Sequence, residues 1–332
     1  MLYTYIKYIQ KSEKMKILAN DGISDLGKKL LEEAGFTVIT EKVEQENLIA
    51  ETNAQNIEMI LVRSATTVRK EVIDACPNLK LIGRGGVGMD NIDVEYAREK
   101  GVIVINTPAS SSQSVAELVM GQLFSISRSL QDSFKNMENG DFSQLKKKFA
   151  KGVELRGKTL GIIGFGRIGQ SLASYALGVG MDVMASDYYT ATAKIIVPIG
   201  TKTSVEVEIT PSATMDELLS KSDYISIHVP KQADGSAVIS EKEFSLMKKG
   251  VRIVNAARGG VINEEDLLAA LNSGKVAAAA IDVFENEPNP NKDLLSHPNI
   301  ACTPHIGAAT LEAQDRIGEE LASLIIGQFV TK

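Results

Sequence analysis

The chain has 332 residues, enough for about two domains that each bury a core. Apolar residues make up 44% and charged residues 23%, a balance typical of globular proteins that excludes disorder and collagen-like repeats. The formal net charge of −6 carries no basic excess, so nucleic acid and acidic membrane surfaces are not expected as partners. We therefore expect a small-molecule partner.

Two cysteines, Cys76 and Cys302, are too few for a disulfide framework or a cysteine metal site. They favour a reducing, cytoplasmic location and no bound metal. The first 14 residues do not have the features of a signal peptide, and no apolar run approaches the roughly 20 residues that span a bilayer. We interpret residues 1–14 as an extension outside the fold.

From Met15 to about Ile105, short apolar runs alternate with helical patterns. This alternation predicts a parallel sheet covered by helices. Ser114 and Glu117 then have the spacing of a capping box, at the start of an apolar helix that continues to about Leu130. We expect this helix to cross between domains or to pack on a partner.

A second series of nearly continuous apolar strands begins at Thr159 and predicts a second doubly wound sheet. Within it, alternating residues and a Pro-Ile-Gly turn predict a small β-hairpin insertion at about 194–211, whose role stays open. Helical spacing from Thr310 to about Val330 predicts a last helix that could return to the first domain.

The pattern G-x-G-x-x-G occurs twice, at 83–88 and at 164–169. Only the second occurrence follows a strand, opens a helix and precedes an acid, Asp187, at the end of the next strand. This combination predicts a dinucleotide site, and the carboxylate of Asp187 favours NAD over the phosphorylated NADP. In the first occurrence Asp90 would repel a pyrophosphate, so it is either a nest for a carboxylate or a turn that only packs.

Charged side chains follow several strands of the second series, where ligands bind in open α/β sheets. Arg258 offers a fork for a carboxylate, and His305 can exchange a proton near neutral pH. Asp282 ends the strand VAAAAI, and Glu287 follows five residues later. A carboxylate near the imidazole favours its charged form. Together these residues suit the reversible oxidation of a 2-hydroxy acid by NAD.

The segments NAARGG, DVFENEP and TPHIGAAT, with GFGRIG upstream, strongly resemble the D-isomer-specific 2-hydroxyacid dehydrogenases, from about Lys16 to Gln328. The resemblance implies an α/β fold of two doubly wound parallel-sheet domains, a Rossmann NAD domain inserted into a flavodoxin-like substrate domain. The implied limits are 1–14 for the extension, 15–108 for the substrate domain, 109–303 for the NAD domain and 304–332 for a segment that returns to the substrate domain.

The resemblance also implies site residues. The catalytic residues would be Arg258, Glu287 and His305. The cofactor would contact Gly164, Gly166, Arg167, Ile168, Gly169, Asp187, Val229, Pro230, Ala256, Asp282, which holds the nicotinamide carboxamide, His305 and Gly307. The substrate would contact Arg63, Arg84, Gly85, Gly86, Val87 and Arg258.

A substrate acid that carries a phosphate would need cations beyond the carboxylate clamp. Arg63, Arg84 and the run Lys146–Lys148 are candidates, although a lysine run is equally typical of a solvated surface. Alternatives are a family member that acts on unphosphorylated acids and a non-enzymatic NAD sensor similar to a corepressor. The resemblance further implies a homodimer formed through the NAD domain and the helix from Val115 to Leu130. Control through a C-terminal regulatory domain is not expected.

Overall fold

The computed structural model describes residues 14–212 and 214–330. The predicted extension, apart from Lys14, lies outside the described residues. The described residues form two compact units, one from 14–111 together with 311–330, and one from 112–310. The predicted domain limits and the role assigned to each domain stay predictions.

The first unit is a five-stranded sheet covered by helices. Its strands, all parallel, lie in the order β2-β1-β3-β4-β5. The strands are β1 Lys16–Ala19, β2 Thr37–Ile39, β3 Met59–Val62, β4 Leu81–Arg84 and β5 Ile103–Asn106. The helices are α1 Asp25–Glu33, a 3-10 turn at Gln45–Asn47, α2 Leu48–Ala54, α3 Lys70–Ala75, α4 Val94–Glu99 and the last helix of the chain, α13 Leu311–Phe329.

Alternate side chains of each strand in this unit enter two separate cores, because successive residues of a strand point to opposite faces. Ile17 packs on the face covered by Leu31 of α1 and Leu321 of α13. Leu18 packs on the opposite face. The last helix thus belongs to the first unit.

The second unit has a six-stranded parallel sheet in the order β13-β12-β11-β10-β6-β7. Its strands are β6 Thr159–Ile163, β7 Asp182–Ser186, the pair β8 Ala193–Ile199 and β9 Thr203–Ile209, then β10 Tyr224–Ile227, β11 Val251–Asn255, β12 Val276–Ile281 and β13 Ile300–Cys302. The helices are α5 Ser112–Arg128, α6 Leu130–Met137, α7 Phe142–Lys148, α8 Arg167–Gly178, α9 Met215–Lys221, α10 Glu241–Leu246, α11 Glu264–Asn272 and α12 Lys292–Ser296.

In both sheets the second strand of the chain lies on one side of the first strand, and the third lies on its other side. This reversal of strand order creates the crevice where α/β sheets bind ligands. The predicted fold class, two doubly wound parallel sheets, is confirmed. The predicted hairpin is confirmed as well, since β8 and β9 pair antiparallel from Ala193 opposite Ile209 to Ile199 opposite Thr203. Ile195 and Val197 of the hairpin are buried in the core that α8 covers.

The prediction of a capping box at Ser114 is wrong. Helix α5 begins at Ser112, so Ser114 lies inside its first turn, and its hydroxyl donates to the carbonyl of Gly307 instead. The helix ends at Arg128, where Ser129 adopts a left-handed φ of 52°. Within the described residues, none of the helices has both the length and the apolar character to cross a membrane.

Candidate active site

The glycine turn after β6 leaves one side open at the start of α8. Gly164 has a φ of 91°, and a Cβ there would lie 2.5 Å from the carbonyl oxygen of His228. A Cβ on Gly169 would lie 2.3 Å from the carbonyl oxygen of Gly164. At Gly166, which caps α8, a Cβ would meet nothing within 4 Å. The turn therefore packs tightly at Gly164 and Gly169 and leaves space at Gly166, the N-cap of α8, and a helix N-terminus of this kind fits a pyrophosphate.

Asp187 follows β7 and ties the glycine turn to this strand. Its carboxylate accepts hydrogen bonds from the N–H groups of Phe165 at 2.6 Å, Tyr189 at 2.7 Å and Thr190 at 2.8 Å. Burial raises the pKa of Asp187, but these backbone donors outweigh burial and hold the pKa below its usual value. The carboxylate thus stays ionised beside the turn, as a site for ribose hydroxyls requires. Its structural role in holding the turn was not predicted.

Glu287 and His305 form a hydrogen-bonded pair, although 18 residues separate them in the sequence. The distance between Nδ1 of His305 and Oε2 of Glu287 is 2.8 Å, and each side chain is 34% exposed. The other oxygen of Glu287 accepts the N–H of Phe284 at 2.9 Å. Burial raises the pKa of Glu287, whereas the hydrogen bonds from His305 and Phe284 and the charges of His305 and Arg258 lower it below its usual value. The pair is reachable from solvent and keeps its carboxylate ionised.

Arg258 lies in the turn after β11, and the turn is fixed by Asn255. The side chain of Asn255 accepts the N–H of Ala257 at 3.1 Å and donates to the carbonyl of Arg258 at 2.9 Å. The charge of Arg258 acts on Glu287, so the carboxylate that bonds His305 also lies near the guanidinium. The other two predicted catalytic residues, Arg258 and His305, thus both lie near Glu287. Their catalytic roles stay a prediction.

Asp282, at the end of β12, organises the turn that carries His305. It is fully buried, and its carboxylate accepts the Thr303 hydroxyl at 2.6 Å and the N–H groups of Ile306 at 2.9 Å and Gly307 at 3.0 Å. Burial raises the pKa of Asp282 above its usual value, although these donors and the charge of His305 oppose burial. His305 itself has a left-handed φ of 54°, a conformation that this network holds in place.

The remaining predicted cofactor residues of the second unit lie at the carboxyl ends of its strands. Val229 and Pro230 follow β10, and Ala256 follows β11. A side-chain carbon of Val229 would lie 2.8 Å from a Cβ on Gly164, so Val229 borders the glycine turn. Next to it, Nε2 of His228 shares a hydrogen bond of 2.8 Å with Ser226, and burial lowers the pKa of His228 to about 4.

The predicted substrate residues of the first unit are in two turns at the ends of β3 and β4. The N–H of Arg63 donates to Asp21 at 2.6 Å, and burial lowers the pKa of Arg63, against the opposing charge of Asp21. The Arg84 side chain folds over Gly86, where a Cβ would lie 1.5 Å from Nη1.

The amides of the first glycine turn are partly committed to the protein. The N–H of Gly85 donates to Val62, and the N–H of Gly86 donates to the carbonyl of Arg84. These two N–H groups are therefore not available to an anion. Of the lysine run in the second unit, Lys148 pairs with Asp132 at 2.7 Å.

Sequence reasoning missed Ser114, Gln122 and Thr303, which contact the His305 turn or Asp282. Ser114 donates to the carbonyl of Gly307 at 2.7 Å, and Gln122 donates to the hydroxyl of Thr303 at 3.1 Å. The available signal was the presence of polar residues within the apolar run of α5, since buried polar side chains are normally hydrogen-bonded.

Comparisons with known proteins agree with this geometry. Residues 120–307 match the family described as D-isomer specific 2-hydroxyacid dehydrogenase, NAD binding domain. A hydroxypyruvate reductase from Thermotoga maritima is 43% identical over 299 residues, which cover 89% of this chain and 92% of that protein. A D-3-phosphoglycerate dehydrogenase from Methanocaldococcus jannaschii is 41% identical over 311 residues, which cover 94% of this chain but 57% of that protein.

Among solved structures, a glyoxylate reductase from Paecilomyes thermophila has a TM-score of 0.80 at 28% identity, with 96% of each chain covered. The chain belongs to the D-isomer-specific 2-hydroxyacid dehydrogenase family. Its second unit contains the NAD-binding domain of this family. The chain spans little more than half the length of the phosphoglycerate dehydrogenases that it matches, at 57% and 55% for two of them.

Proposed function

We propose that this chain catalyses the NAD-dependent oxidation of D-3-phosphoglycerate to 3-phosphohydroxypyruvate, a step of serine biosynthesis. The observation that carries the proposal is the cluster around Glu287, where His305 lies 2.8 Å away and the charge of Arg258 acts on the same carboxylate. A guanidinium, an imidazole and an ionised carboxylate are the groups that oxidation of a 2-hydroxy acid requires.

In the proposed mechanism, Arg258 binds the substrate carboxylate and the oxygen at C2. Because Nδ1 of His305 is hydrogen-bonded to Glu287, Nε2 is the nitrogen left to accept the proton of the C2 hydroxyl. Glu287 then stabilises the imidazolium that forms. NAD, when bound, supplies the acceptor for the hydride that leaves C2. In the reverse direction His305 returns the proton to the carbonyl oxygen.

The proposed cofactor is NAD and not NADP. The support is Asp187, which stays ionised because three backbone N–H groups bond its carboxylate at the edge of the glycine turn. A fixed negative charge there disfavours a 2′-phosphate and suits the free hydroxyls of NAD.

The proposed substrate carries a phosphate, for which Arg63 and Arg84 stay the predicted ligands. The identity to the phosphoglycerate dehydrogenase of M. jannaschii supports this choice. The hydroxypyruvate reductase of T. maritima, which this chain matches over 92% of its length, favours a second candidate, the reduction of glyoxylate or hydroxypyruvate by the same residues.

One assay separates the two candidates. NADH formation with D-3-phosphoglycerate is compared with NADH formation from D-glycerate, and with NADH consumption by glyoxylate and hydroxypyruvate. We expect the highest kcat/KM with the phosphorylated acid. A preference for the unphosphorylated acids would replace the substrate and keep the mechanism. Binding of NAD without turnover of any of them would favour a non-enzymatic NAD sensor.

We further propose a homodimer that forms through α5, α6 and α7 of the second unit. Support comes from a series of exposed apolar side chains on these helices, namely Phe124, Leu130, Phe134 at 87% exposure, Met137 and Phe142 at 65% exposure. Light scattering after size exclusion tests this, and Phe134→Asp combined with Phe142→Asp should yield monomers. The proposed location is the cytoplasm, in keeping with Cys76 and Cys302 as free thiols.

A further inference from the structure

Helix α5 carries two polar side chains that reach the turn of His305 from the same direction. Ser114 donates to the carbonyl of Gly307 at 2.7 Å, at a separation of 193 residues in the chain. Gln122, two turns further along the helix, donates to the hydroxyl of Thr303 at 3.1 Å. These two bonds therefore attach α5 to both ends of the turn 303–307.

The bond from Gln122 is the first in a chain of hydrogen bonds that runs through Thr303 to Asp282. The hydroxyl of Thr303 lies 2.6 Å from Oδ1 of Asp282, and the same oxygen accepts the N–H of Ile306 at 2.9 Å. An ionised carboxylate only accepts, so the single hydrogen of the Thr303 hydroxyl must point to Asp282. The hydroxyl can then only accept from Gln122, which fixes the orientation of the Gln122 amide.

This chain of hydrogen bonds is buried, so its polar groups need well-placed partners. Gln122 is 5% exposed and Asp282 is fully buried. Within the described residues, Oε1 of Gln122 is buried without a hydrogen-bond partner, so the amide is held by its bond to Thr303 alone. A buried polar side chain with one bond is costly.

We propose that Gln122 is a positioning residue of the reaction, which acts through Thr303 and Asp282 to hold His305 against Glu287. This inference rests on the proposed function of His305. The bond from Gln122 keeps the Thr303 hydroxyl aimed at Asp282, and Asp282 in turn holds the N–H groups of Ile306 and Gly307. His305 lies between these anchored residues, so its left-handed backbone and its bond to Glu287 depend on them.

The test uses Gln122→Met, which removes the donor at similar volume. The loss of one neutral hydrogen bond corresponds to about a threefold to tenfold lower kcat. Ser127→Ala is the matched control on the same helix, since Ser127 bonds Leu123 and Tyr224 instead of the turn. It should lower the unfolding temperature and leave kcat intact.

Two further measurements keep the inference testable. The chain has three histidines, so the imidazole nitrogens can be followed by ¹⁵N NMR without substrate. Gln122→Met should shift the signals of His305 and leave those of His228 and His297 in place. Thr303→Val should lower kcat, Thr303→Ser should restore most of it, and adding Gln122→Met to Thr303→Val should cost nothing more.

Wild-type kcat and unchanged His305 signals in Gln122→Met would overturn the inference, as would full additivity of the two substitutions. A failure of this inference can be told apart from a failure of the proposed function. If the wild-type protein turned over none of the acids, the NMR signals of His305 would still report whether Gln122 positions it.

Discussion

Gly259 lies so close to Phe284 that a Cβ on Gly259 would be 1.7 Å from the Phe284 carbonyl oxygen. The turn that carries Arg258 therefore runs directly against the segment that leads to Glu287. This backbone contact brings a cation from the end of β11 near a carboxylate from the end of β12, and only glycine allows it.

Gly259→Ala should separate these two turns. A methyl group cannot fit at 1.7 Å from a carbonyl oxygen, so the backbone must move by an ångström or more. A displacement of this size can cost about 10²-fold in rate. We expect kcat/KM to fall by about that factor. Gly327→Ala in α13, where a Cβ meets nothing within 4 Å, is the control and should stabilise the protein slightly. Equal activity of the two variants would contradict the prediction.

His305→Asn removes the proposed base and keeps the backbone unstrained, because asparagine tolerates the left-handed φ of 54°. We expect turnover to fall by about 10²- to 10⁴-fold. Binding of NAD, measured by calorimetry, should stay within a small factor of the wild type. A variant with near-native turnover would rule out the role of His305 as the base.

Glu287→Gln tests the partner of the imidazole. The pKa of Glu287 lies below its usual value, so at neutral pH its charge favours protonated His305. Without this charge the neutral imidazole, which oxidation of the substrate needs, persists to lower pH. We expect the rising limb of the pH profile of kcat/KM to move to lower pH, with a reduced maximum. A limb that does not move would argue against the pair.

Asp187→Ala should weaken the discrimination against NADP. The substitution removes the negative charge beside the glycine turn, so the ratio of kcat/KM for NAD to that for NADP should fall by about tenfold or more. Asp182→Ala, at the exposed start of β7, is the control and should keep the wild-type ratio. An unchanged ratio in Asp187→Ala would contradict the assignment of NAD as the preferred cofactor.

The lowered pKa of His228 leads to a prediction of how the free energy of unfolding depends on pH. Burial lowers its pKa from 6.5 to about 4, so in the folded protein the imidazole stays neutral where the unfolded chain already binds a proton. The contribution of His228 to the free energy of unfolding is therefore fully present above pH 6.5 and is lost as the pH falls toward about 4. The total loss is about 3 kcal/mol, since each pKa unit corresponds to about 1.4 kcal/mol. Urea unfolding at several pH values should show a smaller loss in His228→Gln, and an equal loss would assign the effect to other groups.

Much of the fold could be predicted because its signals are local. The β8–β9 hairpin followed from alternating residues and turn chemistry, and the second glycine turn followed from a strand, a helix and Asp187 in the expected order. The local pattern was misleading at Ser114. Its sequence context predicted a helix cap, but its hydroxyl bonds the carbonyl of Gly307, 193 residues away. For Gln122 the local signal was only a polar residue within an apolar run, which does not identify the partner of its side chain.

The sequence by itself determined the two doubly wound sheets and the identity of Arg258, Glu287 and His305 as candidates. Hydrophobic periodicity and strand-end chemistry are read over a few residues, so they need no knowledge of packing. Only the tertiary structure decided that Asp282 anchors the turn of His305 and that α5 holds this turn. These bonds join residues 21 to 193 positions apart, and burial, which no local pattern encodes, selects among the possible partners.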